Sequence, residues 1–145
     1  MMTTTNDVIR IGALTIRFLL DAETSARALT AFEFNVPSQA RVMAAHSHDG
    51  YDETVYGVVG TLTWTVDGDE IQVAPGEVLF IPRGVVHKFE NRGDGDATAY
   101  AVVTPGILGP DFFREIAAVV DAAAGPPDPA AIGEVMRRHG LTPAQ

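Results

Sequence analysis

Apolar and polar residues alternate through most of the chain. Residues 61–66, TLTWTV, put Leu62, Trp64 and Val66 on one face and threonines on the other, which is the period-two signature of a half-buried strand. Asp67-Gly68 follows and predicts a tight hairpin, because glycine accepts positive φ at little cost. Ile71 and Val73 resume the alternation up to a turn at Pro75-Gly76. Val78 to Ile81 is a short apolar strand stopped by Pro82, which has no N–H to give to a ladder. Further strands fit residues 8–11, 14–20, 29–36, 41–48, 54–59, 85–90 and 97–104. Many short strands punctuated by turn residues predict an all-β sandwich or barrel over residues 8–104.

The period changes after Thr104. Phe112, Phe113, Ile116, Val119, Val120 and Ala123 recur at helical spacing, so residues 110–124 read as an amphipathic helix ended by Gly125-Pro126-Pro127. Asp128 then reads as an N-cap with Pro129 in the first helical position, opening a second helix that Gly140 closes. Residues 105–145 are thus expected to form a helical extension whose apolar stripe packs on the barrel or on a second subunit. Met1 to Asp7, MMTTTND, reads as a disordered lead-in without the basic start and apolar run of a signal peptide.

Composition narrows the functional classes. The 145 residues suit one domain, and 46% hydrophobic with 20% charged residues suits a globular chain with a real core. The net charge of −9 opposes phosphate backbones and anionic lipid, which argues against nucleic-acid and membrane partners. No cysteine is present, so disulfides, thiolate metal sites and cysteine nucleophiles are excluded together, and a cytoplasmic location is expected.

The chemistry concentrates in two segments. Three of the four histidines fall in His46-Ser47-His48-Asp49-Gly50-Tyr51-Asp52-Glu53 and in His87-Lys88-Phe89-Glu90-Asn91. On a strand His46 and His48 point to the same face, and a carboxylate just past a Gly turn can converge with them on a metal. An HxH pair alone is more often a pair of hydrogen-bonded polar residues; the spacing around it carries the metal reading. Strand parity sends Val42 and Ala44 inward with His46, Val55, Gly57 and Val59 inward with Glu53, and Phe89 inward with His87, unless a bulge intervenes. Phe32 and Phe34 share one face, as do Leu62 and Trp64, and these read first as core. Phe34, Val55, Gly57, Trp64 and Phe89 are the candidate pocket residues. Asp67-Gly68-Asp69-Glu70 lacks calcium-loop spacing, Arg92 to Asp96 reads as a turn, and His139 as a partner of the helix dipole.

The run His46-x-His48, four residues, Glu53, six residues, Gly60 resembles the first motif of the cupin superfamily. The run Gly76, five residues, Pro82-x-Gly84, two residues, His87, three residues, Asn91 resembles the second, and the fifteen residues between Gly60 and Gly76 resemble the short spacer of small prokaryotic cupins. The first motif usually opens with glycine where this chain has Ala40, a departure that touches a turn and no ligand.

The resemblance implies a jelly-roll β-barrel with one divalent transition metal ion (Fe, Mn, Ni, Co, Cu or Zn) inside it, held by His46, His48, Glu53 and His87. Gly60, Gly76, Gly84 and Pro82 would be turn residues, and Asn91 would stabilise a strand end. Such a ligand set leaves two open positions on an octahedral ion, as a catalytic metal needs. The barrel, the Pro105-Gly106 turn and the Phe-Phe helix resemble single-domain cupins of the quercetin dioxygenase-like kind. The expected activity is a small metal-dependent dioxygenase acting on an aromatic or enol-type small molecule, with Glu53 as a partly detachable base. Alternatives are a non-catalytic small-ligand-binding cupin and a metal-assisted isomerase or decarboxylase; phosphosugar chemistry is disfavoured by the lack of an Arg/Lys cluster. Exposed barrel edges and the unplaced helix stripe point to a homodimer.

Overall fold

The structure, a computed structural model, describes residues 7–40 and 42–144. The expected disordered lead-in falls on residues 1–6, outside the described residues. Asp7 itself belongs to the fold: its carbonyl accepts from the Phe18 N–H at 2.8 Å, and its carboxylate pairs with Arg114 at 3.4 Å.

Eleven strands and two helices are described: β1 (Val8–Ile11), β2 (Leu14–Leu20), β3 (Thr30–Val36), β4 (His46–His48), β5 (Asp52–Val59), β6 (Leu62–Val66), β7 (Asp69–Val73), β8 (Val78–Ile81), β9 (His87–Glu90), β10 (Ala97–Thr104), α1 (Pro110–Ala122), α2 (Pro129–Arg138) and β11 (Leu141–Pro143). They form a six-stranded sheet in the order β1-β2-β3-β10-β5-β8 and a five-stranded sheet in the order β11-β4-β9-β6-β7. The two ladders do not join into a closed cylinder, so the barrel is a two-sheet jelly roll. Their inner faces meet through aromatic side chains: Phe34 of the larger sheet stacks on Phe89 of the smaller at 4.9 Å and meets Trp64 edge-on at 6.1 Å. Each fully buried side chain of this size contributes roughly 2–3 kcal/mol.

The turns follow the sequence reading. Asp67 (φ 50°) and Gly68 (φ 87°) both adopt positive φ, the backbone of the favoured two-residue hairpin joining β6 to β7. Gly60, Gly76 and Gly84 also take positive φ. Where the first motif usually has glycine and this chain has Ala40, the left-handed residue is the neighbouring Gln39 (φ 60°). Asn91 bridges three backbone groups: it donates to the carbonyls of Val36 and Gly95 at 2.8 and 2.9 Å and accepts from the Gly93 N–H at 2.9 Å.

Three expectations need correction. Of the strand expected over residues 41–48, residues 42–45 are outside the ladder and β4 is His46–His48, which meets β9 at the single pair His46↔His87 and β11 through Pro143↔His46. Ala44 is consequently exposed and Val42 only part-buried. A bulge in β5 places Val58 opposite no residue of β10, since Gly57 pairs with Ala99 and Val59 with Thr98, and this turns Val59 outward to 54% exposure. The extension adds an element that sequence periodicity did not reveal, β11, which zips onto the outer side of β4 through Leu141↔His48 and Thr142↔Ser47.

The helices pack on their own chain. Pro110 opens α1, and its apolar stripe buries Phe112, Phe113 and Ile116; Phe113 lies 5.6 Å from Phe18 and 5.3 Å from Phe32. Asp128 caps α2 by accepting from the Ala130 N–H at 3.0 Å, and Gly140 (φ 81°) reverses the chain into β11.

Gly57 is required by a close backbone approach. A Cβ there would lie 2.3 Å from the Ala74 carbonyl oxygen, and the Gly57 N–H donates to the Glu77 carbonyl in the same contact. Gly57→Ala is therefore expected to lower stability by about 3 kcal/mol, read as a fall in the urea midpoint; an unchanged midpoint would show that this turn yields freely.

Candidate metal centre

The three histidines of the two motifs meet inside the jelly roll. His46 and His48 project inward from the same face of β4, and His87 opens β9 directly opposite His46. One ring nitrogen from each lies within 4.8 Å of the others. Glu53, at the start of β5, reaches in from the facing sheet until Oε1 is 3.7 Å from both His48 Nε2 and His87 Nε2. The three imidazoles form a group that could hold one metal ion, and the Glu53 carboxylate lies beside two of them.

Backbone carbonyls set two of the rings. His46 Nδ1 lies 2.9 Å from the Ala44 carbonyl and His87 Nδ1 lies 2.9 Å from the Val85 carbonyl. Each ring donates from Nδ1 and is left with its Nε2 lone pair toward the cluster, the tautomer a metal requires. His48 is placed differently. Its Nδ1 is buried without a hydrogen-bond partner, and the ring is stacked at 4.7 Å on Tyr51, whose hydroxyl donates to the His139 carbonyl at 3.2 Å.

The turn of the second motif also grips the first. With Gly84 in a left-handed conformation its N–H donates to the His48 carbonyl at 2.7 Å. The neighbouring Arg83 donates to Asp52 from both backbone and side chain, which holds the Asp52 carboxyl below its usual pKa. One turn thus orders the backbone on either side of the ligands.

Burial keeps two imidazoles neutral. Desolvation, with His87 adding to it, lowers His46 to about 4, against the opposing pull of the Ala44 carbonyl. Desolvation and the neighbouring His46 and His87 lower His48 to about 2. Burial also pulls His87 down, but the Glu53 carboxylate and the Val85 carbonyl outweigh it and leave its pKa raised. Tyr51 is raised by desolvation and by the charges of Glu53 and Asp49, so its hydroxyl stays protonated.

Around the cluster the walls are apolar. The cavity beside the four polar side chains is lined by Phe34, Trp64 and Phe89, three of the candidate pocket residues. Val55 and Gly57 lie outside that lining: Val55 is fully buried in the core, and Gly57 packs on the β7–β8 turn. Sequence reasoning missed Phe112, Phe113 and Leu141, which close the cavity from the C-terminal extension. Their apolar stripe was legible, but not the surface it would cover. Tyr51, in the turn before Glu53, is fully buried against His48. His139 does end α2, and its ring also contacts Glu115 of α1.

Without metal, this site makes stability depend on pH. His46 and His48 have folded pKa values below the unfolded value of about 6.5, so their contribution is complete above that pH and is lost as pH falls toward 4. His87 runs oppositely: its contribution is present below about 6.5 and is lost as pH rises through its raised folded value. Two groups outweigh one, and the metal-free protein is expected to lose on the order of 1 kcal/mol per pH unit between pH 6.5 and 5. Urea titrations at several pH values check this, and His48→Phe should flatten the slope.

Residues 32–103 match the Cupin domain family. Over 88 residues the chain is 35% identical to quercetin 2,3-dioxygenase of Bacillus subtilis (strain 168), an alignment covering 60% of this chain and 25% of that protein. Over 83 residues it is 32% identical to tetracenomycin polyketide synthase protein TcmJ of Streptomyces glaucescens, covering 57% of this chain and 56% of that one. The chain therefore spans a quarter and about half of the lengths of these two relatives. A predicted oxalate decarboxylase from Thermotoga maritima shares the fold with a TM-score of 0.61 at 24% identity, covering 70% of this chain and 93% of that one. The matched domain, the jelly roll and the paired histidine motifs agree, and the chain is a member of the cupin superfamily.

Proposed function

We propose that this protein is a metal-dependent dioxygenase acting on an aromatic or enol-type small molecule, with His46, His48, Glu53 and His87 as its metal ligands. The observation that carries the reading is the placement of three imidazoles and one carboxylate against a wall of Phe34, Trp64 and Phe89. The similarity to quercetin 2,3-dioxygenase supports it. A bound divalent ion would supply Lewis acidity and open positions for substrate and dioxygen. Fe, Mn, Ni, Co, Cu and Zn all accept imidazole and carboxylate ligands.

The chain's own residues supply the rest. Burial keeps His46 and His48 unprotonated, and the carbonyls of Ala44 and Val85 orient two of the rings. Glu53, buried and close to two imidazoles, is placed to take the hydroxyl proton of an enol or phenol at Oε1 or Oε2. The aromatic wall keeps bulk solvent away from the cluster. Phosphosugar chemistry has little support. The cavity's single basic residue is Lys88, whose ammonium pairs with Glu90 at 3.5 Å.

Protein purified without added metal should carry about one equivalent of a first-row ion. His87→Ala should lose it while keeping the strand signature in circular dichroism; retained stoichiometric metal would remove His87 from the ligand set. Oxygen uptake is expected from at least one of the Fe(II), Ni(II) and Mn(II) forms with flavonols, diketones or catechols. Glu53→Gln should slow that uptake about 100-fold, and no uptake from any form overturns the oxygenase reading.

The same proposal includes a homodimer, on a narrower basis than the sequence offered. The helix stripe is covered by its own chain, so the argument rests on β8, the edge of the larger sheet. There Val78 and Phe80 are 63% and 55% exposed beside Tyr56 of β5. Sedimentation should report a dimer that Phe80→Glu converts to monomer, and a wild-type monomer at every concentration would end the idea. Among the described residues no helix is long and apolar enough to cross a membrane.

A further inference from the structure

The cavity at the four polar side chains measures about 40 Å³. Sites for organic ligands measure roughly 300–1,000 Å³, so this space holds water-sized molecules and no aromatic substrate. Beyond its wall lies a groove of about 750 Å³ between the β1–β2 turn, residues 42–44 and the facing sides of α1 and α2. The larger space has the right size, and the smaller one has the chemistry.

The two spaces share two lining residues, Leu14 and Met43. Leu14 is fixed, being 1% exposed and paired with Ile11 in the first hairpin. Met43 is only part-buried and sits in the segment that leaves the ladder before β4. Its unbranched side chain turns about three bonds and repacks at low cost. Displacing that one side chain would open the groove onto the cluster.

The groove also has a chemical character. Ile11, Ile116, Val120, Ile132 and Met136 make its walls apolar, and Arg137 is its single charged lining residue. Arg137 lies exposed in the last turn of α2, and none of the ion pairs among the described residues engages it. A guanidinium engaged in no ion pair among the described residues, at the rim of an apolar groove, favours an anionic ligand locally.

We propose that this groove is the outer half of the substrate site. An apolar, anionic small molecule lies along it, its oxygen-bearing head passes Met43 to the His46, His48, Glu53 and His87 cluster, and its charge faces Arg137. This rests on the metal-site reading above and adds the route, the partition and the ligand's charge.

The probe is 4-nitrocatechol, a flat aromatic anion whose visible absorption shifts when it chelates metal, titrated into the Zn(II)-loaded protein so that no turnover intervenes. Met43→Ala is expected to speed its association about tenfold, and Ala130→Trp, at an exposed groove position on α2, to slow it by a similar factor. Arg137→Gln should weaken binding about threefold, with Zn(II) stoichiometry unchanged in all three variants. In the metal-free protein, 1-anilinonaphthalene-8-sulfonate should bind the groove alone and be displaced by Ala130→Trp. Full Zn(II) loading with probe association unaltered by both Met43→Ala and Ala130→Trp overturns the groove and leaves the metal site standing. A wild type that takes up no Zn(II) overturns the metal site and this proposal with it.

Discussion

Three imidazoles and a carboxylate held together inside an apolar shell constrain everything else in this fold. Removing such groups from water is costly unless each finds a partner. Here two rings find backbone carbonyls two residues upstream, Ala44 for His46 and Val85 for His87. That repeated geometry requires the chain to bend just before each ligand strand. The ladder cannot continue through residues 42–45, and Pro82 to Val85 must turn. The site therefore decides where β4 and β9 begin.

The same constraint explains the proton affinities. In the metal-free protein the cluster can accommodate one positive charge, and His87 is the ring that has both a carbonyl and the Glu53 carboxylate to support it. His46 and His48 are left neutral by burial and by their neighbours. A divalent ion would substitute one central charge for that proton and draw on the lone pairs of all three rings. Metal binding and protonation would thus compete for one space.

Much of this was legible in the residues because it depends on local periodicity. The two-residue spacing of His46 and His48, the Asp67-Gly68 hairpin, the Asp128-Pro129 helix start and the role of Asn91 each follow from a short stretch of chain. What escaped is set by partners distant in sequence. Val58 bulges because β5 must meet β10 on one side while Gly57 lies against the Ala74 carbonyl on the other. Residues 42–45 have an apolar alternation compatible with a strand, yet no neighbouring strand to pair with. Leu141–Pro143 is too short to show a strand period of its own and pairs with the edge that β4 offers. His46 and His48 were readable as a pair for the first reason, Glu53 and His87 joined them as candidates through the resemblance of the two motifs, and the walls of the pocket were legible only in part for the second.

The C-terminal extension resolves a mechanical difficulty in the site. A strand of three residues carrying two candidate ligands, with a single ladder pair to β9, is a weak support for a centre whose geometry would have to be held to fractions of an ångström. β11 supplies the missing ladder on the other side, and the Asp49 N–H donates to the Gly140 carbonyl at 2.8 Å to close its end. Tyr51 then ties the stacked His48 ring to the end of α2, while Phe112 and Phe113 of α1 seal the cavity above it. The segment that braces the ligands is thus also the segment that walls them from water. The passage proposed for a ligand runs along the seam between this extension and the barrel, where the residues that brace the site give way to Met43.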